Sequence, residues 1–136
     1  MIQQFDKRNE NIKVWIDGTL FHRNEAKISV FDSLSQGGDA VWEGLRIYNN
    51  KVFCMDEHLN RLLESAKSMA FDKIPDITYI KNAIFTTLKA NKMYDDTHVR
   101  LTLTRGEKIT SGMNPKLNQK GCTLIVLAEW KPSIYS

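Results

Sequence analysis

The segment from His98 to Thr104 restricts the possible folds of this chain more than any other. His98, Arg100, Thr102 and Thr104 alternate strictly with Val99, Leu101 and Leu103. Successive side chains of a β-strand point to opposite faces, so this period of two predicts a strand with one apolar and one polar face. The fold must therefore cover one side of a sheet and can leave the other side to polar groups. A second segment, Thr123 to Ala128, is a continuous apolar run and reads as a strand buried on both sides.

Hairpin signals supply the neighbouring strands. The β-prone runs 12–16 and 19–23 flank Asp17-Gly18, a dipeptide suited to the positive φ angles of a type I′ turn. Lys27 to Phe31 is also β-prone, and Ser33 to Gly38 reads as a turn or tight loop. Ala40 to Tyr48, Asn49-Asn50 and the following Lys-Val-Phe-Cys read as a second hairpin. Two helices follow. Asp56 is the expected N-cap of the first, whose apolar face carries Leu59, Leu62, Leu63, Ala66, Met69 and Ala70. Pro75 ends it, Asp76 caps the second, and Ile77, Ile80, Ile84 and Leu88 form the second buried stripe, with Lys81, Lys89 and Lys92 in solvent. A long polar loop from Gly106 to Lys120, containing Ser111-Gly112-Met113-Asn114-Pro115, separates the last two strands and has the length of a functional loop. The sum is an α+β domain: a mostly antiparallel sheet of about six strands with two helices.

Composition excludes several function classes. With 136 residues, 42% of them hydrophobic, the chain can build one core without disulfide or metal staples. Its two cysteines, Cys54 and Cys122, lack metal-ligand spacing. A net charge of +3, spread along the chain with no basic block, argues against nucleic-acid binding. No apolar run approaches the roughly 20 residues of a membrane span, and the polar start has no signal-peptide core, so a cytoplasmic protein without membrane association is expected.

Residue patterns alone leave the chemistry open. No Ser-His-Asp order, Cys-His pair, zinc motif, Walker motif or dinucleotide fingerprint is present, and His22, His58 and His98 are scattered. Glu43 and Arg46, three apart on one strand, should point to opposite faces. Arg61 flanks the apolar face of the first helix; it reads either as a solvated, snorkelling arginine or as an anion clamp, since guanidinium binds phosphate bidentately. Arg100, with His98, Thr102 and Thr104, reads either as part of a solvated sheet face or as part of a site.

Three motifs carry a resemblance. The Gly-Asp-Ala-Val-Trp-Glu-Gly-Leu-Arg strand (38–46), the His-Leu-Asn-Arg-Leu helix start (58–62) and the later Val-Arg-Leu-Thr-Leu-Thr-Arg-Gly…Ser-Gly-Met-Asn-Pro segment resemble the N-terminal part of fold-type IV, class IV pyridoxal 5′-phosphate (PLP) aminotransferases. That family includes branched-chain amino acid aminotransferases, D-amino acid aminotransferases and aminodeoxychorismate lyases, and the resemblance runs from Ile12 to Tyr135. It implies a small N-terminal domain over 1–130, the start of an interdomain linker over 131–136, and a homodimeric full-length enzyme. Arg61 would bind the cofactor phosphate. Trp42, Glu43 and Arg46 would line the substrate pocket, with His98 and Arg100 helping to orient the substrate carboxylate. The Ser111–Pro115 loop, tipped by Met113, would reach toward the neighbouring subunit's active site. Gly37 departs from the family's usual aromatic residue there, which loosens one pocket wall, and Ala40 stands where glycine or serine is common.

The resemblance also implies an absence. In that family the lysine that carries PLP as a Schiff base lies in the second domain, and the 13 lysines here are expected on helix faces, turns and loops. No catalytic residue is assigned to this chain. The expected activity belongs to the full-length protein: amino transfer between a branched-chain amino acid and 2-oxoglutarate, with a D-amino acid transaminase or lyase as alternatives on the same fold. A free-standing, non-catalytic binding or dimerisation domain is the alternative from another class.

Overall fold

The computed structural model describes residues 4–132. The expected linker therefore lies outside the described residues from position 133 onward. Six strands form one sheet in the order β2-β1-β6-β5-β3-β4, every pair antiparallel. They are β1 (Lys13–Ile16), β2 (Thr19–His22), β3 (Ala40–Tyr48), β4 (Lys51–Val52), β5 (Thr97–Thr104) and β6 (Thr123–Trp130). Three α-helices accompany them, α1 (Ser33–Gly37), α2 (Met55–Ser68) and α3 (Ile77–Ala90), with short 3-10 helices at Lys7–Asn9 and Pro115–Leu117.

Both hairpin turns follow from local chemistry. Asp17 and Gly18 take φ of 46° and 96°, and Asn49 and Asn50 take 48° and 65°, the left-handed angles that Asp, Asn and Gly tolerate best. Asp17 also anchors the hairpin to the sheet centre, because its Oδ1 accepts from the Leu124 amide at 2.8 Å. Burial raises the Asp17 pKa above its ordinary value.

The core lies between one face of the sheet and helices α2 and α3. Leu45, Ile47, Val99, Leu101, Leu103, Leu124, Val126 and Ala128 supply the sheet side; Leu59, Leu62, Ala66, Ile80, Ala83, Ile84 and Leu88 supply the helices. The α2 and α3 stripes match the periodicity read from sequence, apart from Ala70, which lies past the end of α2 at φ 55° and is exposed. Asp76 caps α3, accepting from the Tyr79 amide at 2.8 Å.

Four local expectations are corrected. Lys27–Phe31 is not a strand: its backbone is used by turns and side chains, with Asp32 N donating to Ser29 O and Gln36 Nε2 to Val30 O. Ser33–Gly37 is a short helix rather than a turn, capped by Asp32 at one end and by left-handed Gly38 at the other. Asp56 is not the N-cap of α2. The chain leaves β4 through left-handed Cys54, so the helix begins at Met55, and Asp56 lies in its first turn facing Lys81 Nζ at 2.7 Å. β6 is buried on one face only; Ile125 and Leu127 on its other face are half-buried. The lysines also spread more widely than expected, with Lys13 and Lys51 on strands.

The sheet end near the N-terminus is closed by a side chain acting as backbone. Asn9 is buried; its Nδ2 donates to Trp130 O at 2.9 Å, and its Oδ1 accepts from Trp130 N at 2.7 Å. Asn9→Ala leaves both Trp130 groups without a partner and should lower unfolding free energy by about 1–3 kcal/mol. Urea unfolding checks this, and an unchanged midpoint would show that the amide pairing adds nothing.

Candidate functional site

The pairing of β3 with β5 builds the site. Trp42 stands opposite Thr102, Gly44 opposite Arg100 and Arg46 opposite His98. Because faces alternate, Trp42, Gly44, Arg46, His98, Arg100 and Thr102 share the sheet face that no helix among the described residues covers. The Arg100 guanidinium lies over the Trp42 ring at 4.2 Å from its centroid, a cation–π stack that holds both side chains. Arg46 lies over Tyr48 at 5.6 Å, and its buried Nε has no hydrogen-bond partner among the described residues. A buried guanidinium donor without an acceptor is ready for an anion.

Gly44 makes room for this cluster. A Cβ built there would stand 2.9 Å from His98 Nε2, so the imidazole occupies the space a side chain would take. Burial, followed by Lys131 and Arg46, holds the His98 pKa below its ordinary value, which keeps the ring neutral at pH 7. The cationic character of this face therefore rests on its arginines.

Glu43 turns the other way, onto the helix side, where it is buried. Its carboxylate accepts from Arg61 Nε at 2.9 Å and Arg61 Nη2 at 2.6 Å, and meets His58 Nδ1 at 2.7 Å. Burial alone would raise the Glu43 pKa, but the hydrogen bonds from Arg61 and His58 outweigh it and hold the carboxyl below its ordinary range. Arg61 is raised in turn by Glu43. The side chain of Arg61 is nevertheless 67% exposed, so Glu43 holds one edge of the guanidinium and leaves the other to solvent.

The sequence-derived residues thus fall into two groups on opposite faces of β3: Trp42, Arg46, His98 and Arg100 on the open face, Glu43 and Arg61 on the helix face. One geometric feature links them. β4 pairs with Ile47 and Tyr48, and the Phe53 amide just beyond it donates to Arg46 O at 2.9 Å, so among the described residues no strand covers the β3 edge from Ala40 to Leu45. A ligand lying along that edge could reach both faces. Met113 is separate, 79% exposed at the tip of the Gly106–Lys120 loop; its Cε lies 3.9 Å from where a Cβ on Gly37 would stand.

Sequence reading missed two contributors. His58 gave no signal beyond its place in the helix motif, and its role depends on Glu43, 15 residues away in the chain. Lys108 gave none at all, yet is only 4% exposed. A groove of about 370 Å³ lies between β1, β6 and the segment after β2, lined by apolar residues such as Val14, Ile16 and Ile125 and by the charged Arg23, Lys27 and Glu129. None of the predicted site residues lines it.

Residues 40–136 match the family model described as Amino-transferase class IV. The chain belongs to the class IV aminotransferase family. It is 58% identical over 127 residues to a branched-chain-amino-acid aminotransferase-like protein of Arabidopsis thaliana, covering 93% of this chain and 23% of that protein. It is 32% identical to a D-alanine aminotransferase of Bacillus licheniformis, covering 83% of this chain and 38% of the relative. Among solved structures, a branched-chain aminotransferase from the thermophilic archaeon Thermoproteus uzoniensis, with norvaline, superimposes with a TM-score of 0.71 at 29% identity, over 88% of this chain and 40% of that one. The chain therefore spans well under half the length of these relatives. The family's N-terminal domain fold is the six-stranded antiparallel sheet with helices described above. No helix among the described residues is long and apolar enough to cross a membrane.

Acid should expose the Glu43 cluster. A carboxylate with a depressed folded pKa contributes stability that is fully present above its unfolded value, 4.5, and is lost as pH falls through the lower folded value. Wild-type stability should thus decline below about pH 4.5 more steeply than that of Glu43→Gln. Thermal melts of both from pH 3 to 7 check this; parallel curves would remove the cluster from the stability balance.

Proposed function

We propose that these residues are the N-terminal domain of a PLP-dependent transaminase that moves an amino group between a branched-chain aliphatic amino acid and 2-oxoglutarate. The supporting observation is the uncovered β3 edge, with the outward side of Arg61 on one face and the Arg46, Arg100 and Trp42 cluster on the other. The donor set fits PLP at Arg61: a permanent cation, oriented by a buried carboxylate, with an exposed edge, suits a phosphate dianion. When bound, PLP supplies the electron sink that lets nitrogen pass between the amino acid and the 2-oxo acid.

This chain's residues bind and orient. Arg61 holds the phosphate, fixed in direction by Glu43. On the open face, Arg46 and Arg100 offer guanidinium donors to a substrate carboxylate, and the Trp42 ring gives an apolar surface to an aliphatic side chain. His98, neutral and close-packed on Gly44, sets the position of that cluster. In this reading the lysine that carries PLP and moves the proton lies in a second domain, with residues 131–136 as the start of the linker, and the assembled enzyme is a homodimer. The shares of 23% and 40% of the relatives' lengths leave room for such a domain. The similarity to a D-alanine aminotransferase keeps a D-amino acid transaminase as the second reading.

Two outcomes test this. The 136-residue chain alone should show no turnover with leucine and 2-oxoglutarate, whereas the protein extended by the remainder found in its relatives should form glutamate. In the extended protein, Arg61→Gln should weaken PLP retention by about tenfold or more, read from cofactor absorbance after dialysis. Turnover by the isolated chain, or faster turnover with D-alanine than with leucine, would overturn the respective claim.

A further inference from the structure

The Gly106–Lys120 loop is tied down by buried polar groups that a solvent-exposed loop does not need. At its neck, the Gly106 carbonyl accepts from Ser33 N, Ser33 Oγ and Asn118 Nδ2, each at 2.9 Å. Asn118 Nδ2 also donates to Ser33 Oγ at 2.6 Å, and Asp32 accepts from Thr123 Oγ1 at 2.7 Å. Gly106 holds φ at 100° and approaches Gly121 so closely that a Cβ would stand 1.7 Å from the Gly121 carbonyl oxygen. The two ends of the loop are therefore locked together and onto the first residue of α1.

Lys108 carries this order to the tip. Its amide donates to Phe31 O at 2.9 Å, and it bridges to Asn118 across the loop. Its side chain is only 4% exposed, and its ammonium donates to the carbonyl of Gly112, the residue before Met113. A buried ammonium is costly unless its bonds are used, so an apolar side chain of equal length would fill the same space at lower cost. The residue type is explained if its hydrogen bond has a task, and the group it holds is the apex.

We propose that Lys108 is a positioning residue that presets the Ser111–Pro115 apex and so fixes Met113, beside Gly37, as an apolar wall of the amino-acid pocket. The pocket assignment rests on the transaminase reading above; the presetting of the apex does not. A preset wall saves the ordering of the loop on binding and should appear in substrate affinity rather than in chemistry.

The test uses Lys108→Met, which keeps length and removes the donor, and Lys108→Gln as a second variant if the first does not fold. In the 136-residue chain, exchange of the Ile109 and Leu117 amides, which donate across the loop to Leu117 O and Asn114 O at 3.0 Å each, should rise by about tenfold, with β5 and β6 amides unchanged. In the extended protein, KM for leucine should rise several-fold with kcat nearly constant, and Lys108→Met should add little to Met113→Ala, because both act through one side chain. Ile109 and Leu117 amides that stay as protected as in the wild type overturn the positioning role. A loosened apex with unchanged KM, or additive effects of the two substitutions, overturns the place of Met113 in the pocket. A wild-type extended protein with no transaminase activity overturns the pocket assignment alone, while the exchange data still decide the role of Lys108.

Discussion

Everything at the candidate site depends on the register of β3 against β5. Eight residue pairs, from Ala40 opposite Thr104 to Ile47 opposite Thr97, decide which side chains meet the helices and which meet a ligand. In this register Leu45 and Val99 enter the core together while Arg46 and His98 leave it together. A slip of one residue would send the arginines into the apolar layer and the leucines into solvent. The core therefore enforces the site: burying Leu45, Ile47, Val99, Leu101 and Leu103 holds Trp42 beneath Arg100.

Glu43 is the one charged side chain of β3 on the buried side, and its position joins fold to function. A carboxylate there is tolerable only because Arg61 and His58 meet it with hydrogen bonds. The same bonds dock the start of α2 on the sheet and orient a cation whose outer edge stays in solvent. On the opposite face the logic is reversed. Among the described residues Arg46 and Arg100 have no carboxylate partner, so they retain their capacity for an anion. Two cationic groups thus serve different ends, one aimed by an internal counter-ion and the other left unpaired.

Much of this was legible in the sequence because the signals are local. The hairpins come from residues that tolerate positive φ, the α2 and α3 stripes from a period near 3.6, and the β5 faces from a period of two. The errors were local ambiguities settled by distant partners. Lys27–Phe31 has strand propensity but no strand to pair with. Thr123–Ala128 looks buried on both faces, yet only its helix side is fully covered. Asp56 looks like a cap, yet the left-handed turn at Cys54 starts the helix earlier.

By itself the sequence determined the fold class, the two faces of β5 and the motif residues of the family, since each is written in short-range periodicity or in a contiguous run. Only the tertiary structure decided which of those residues act together. It moved Glu43 away from Trp42 and Arg46 and joined it to Arg61 and His58, left the β3 edge uncovered between the two groups, and buried Lys108 beneath the Met113 apex. The reason is physical: each of these facts is a contact between segments far apart in the chain, and such contacts leave no periodic trace in either segment alone.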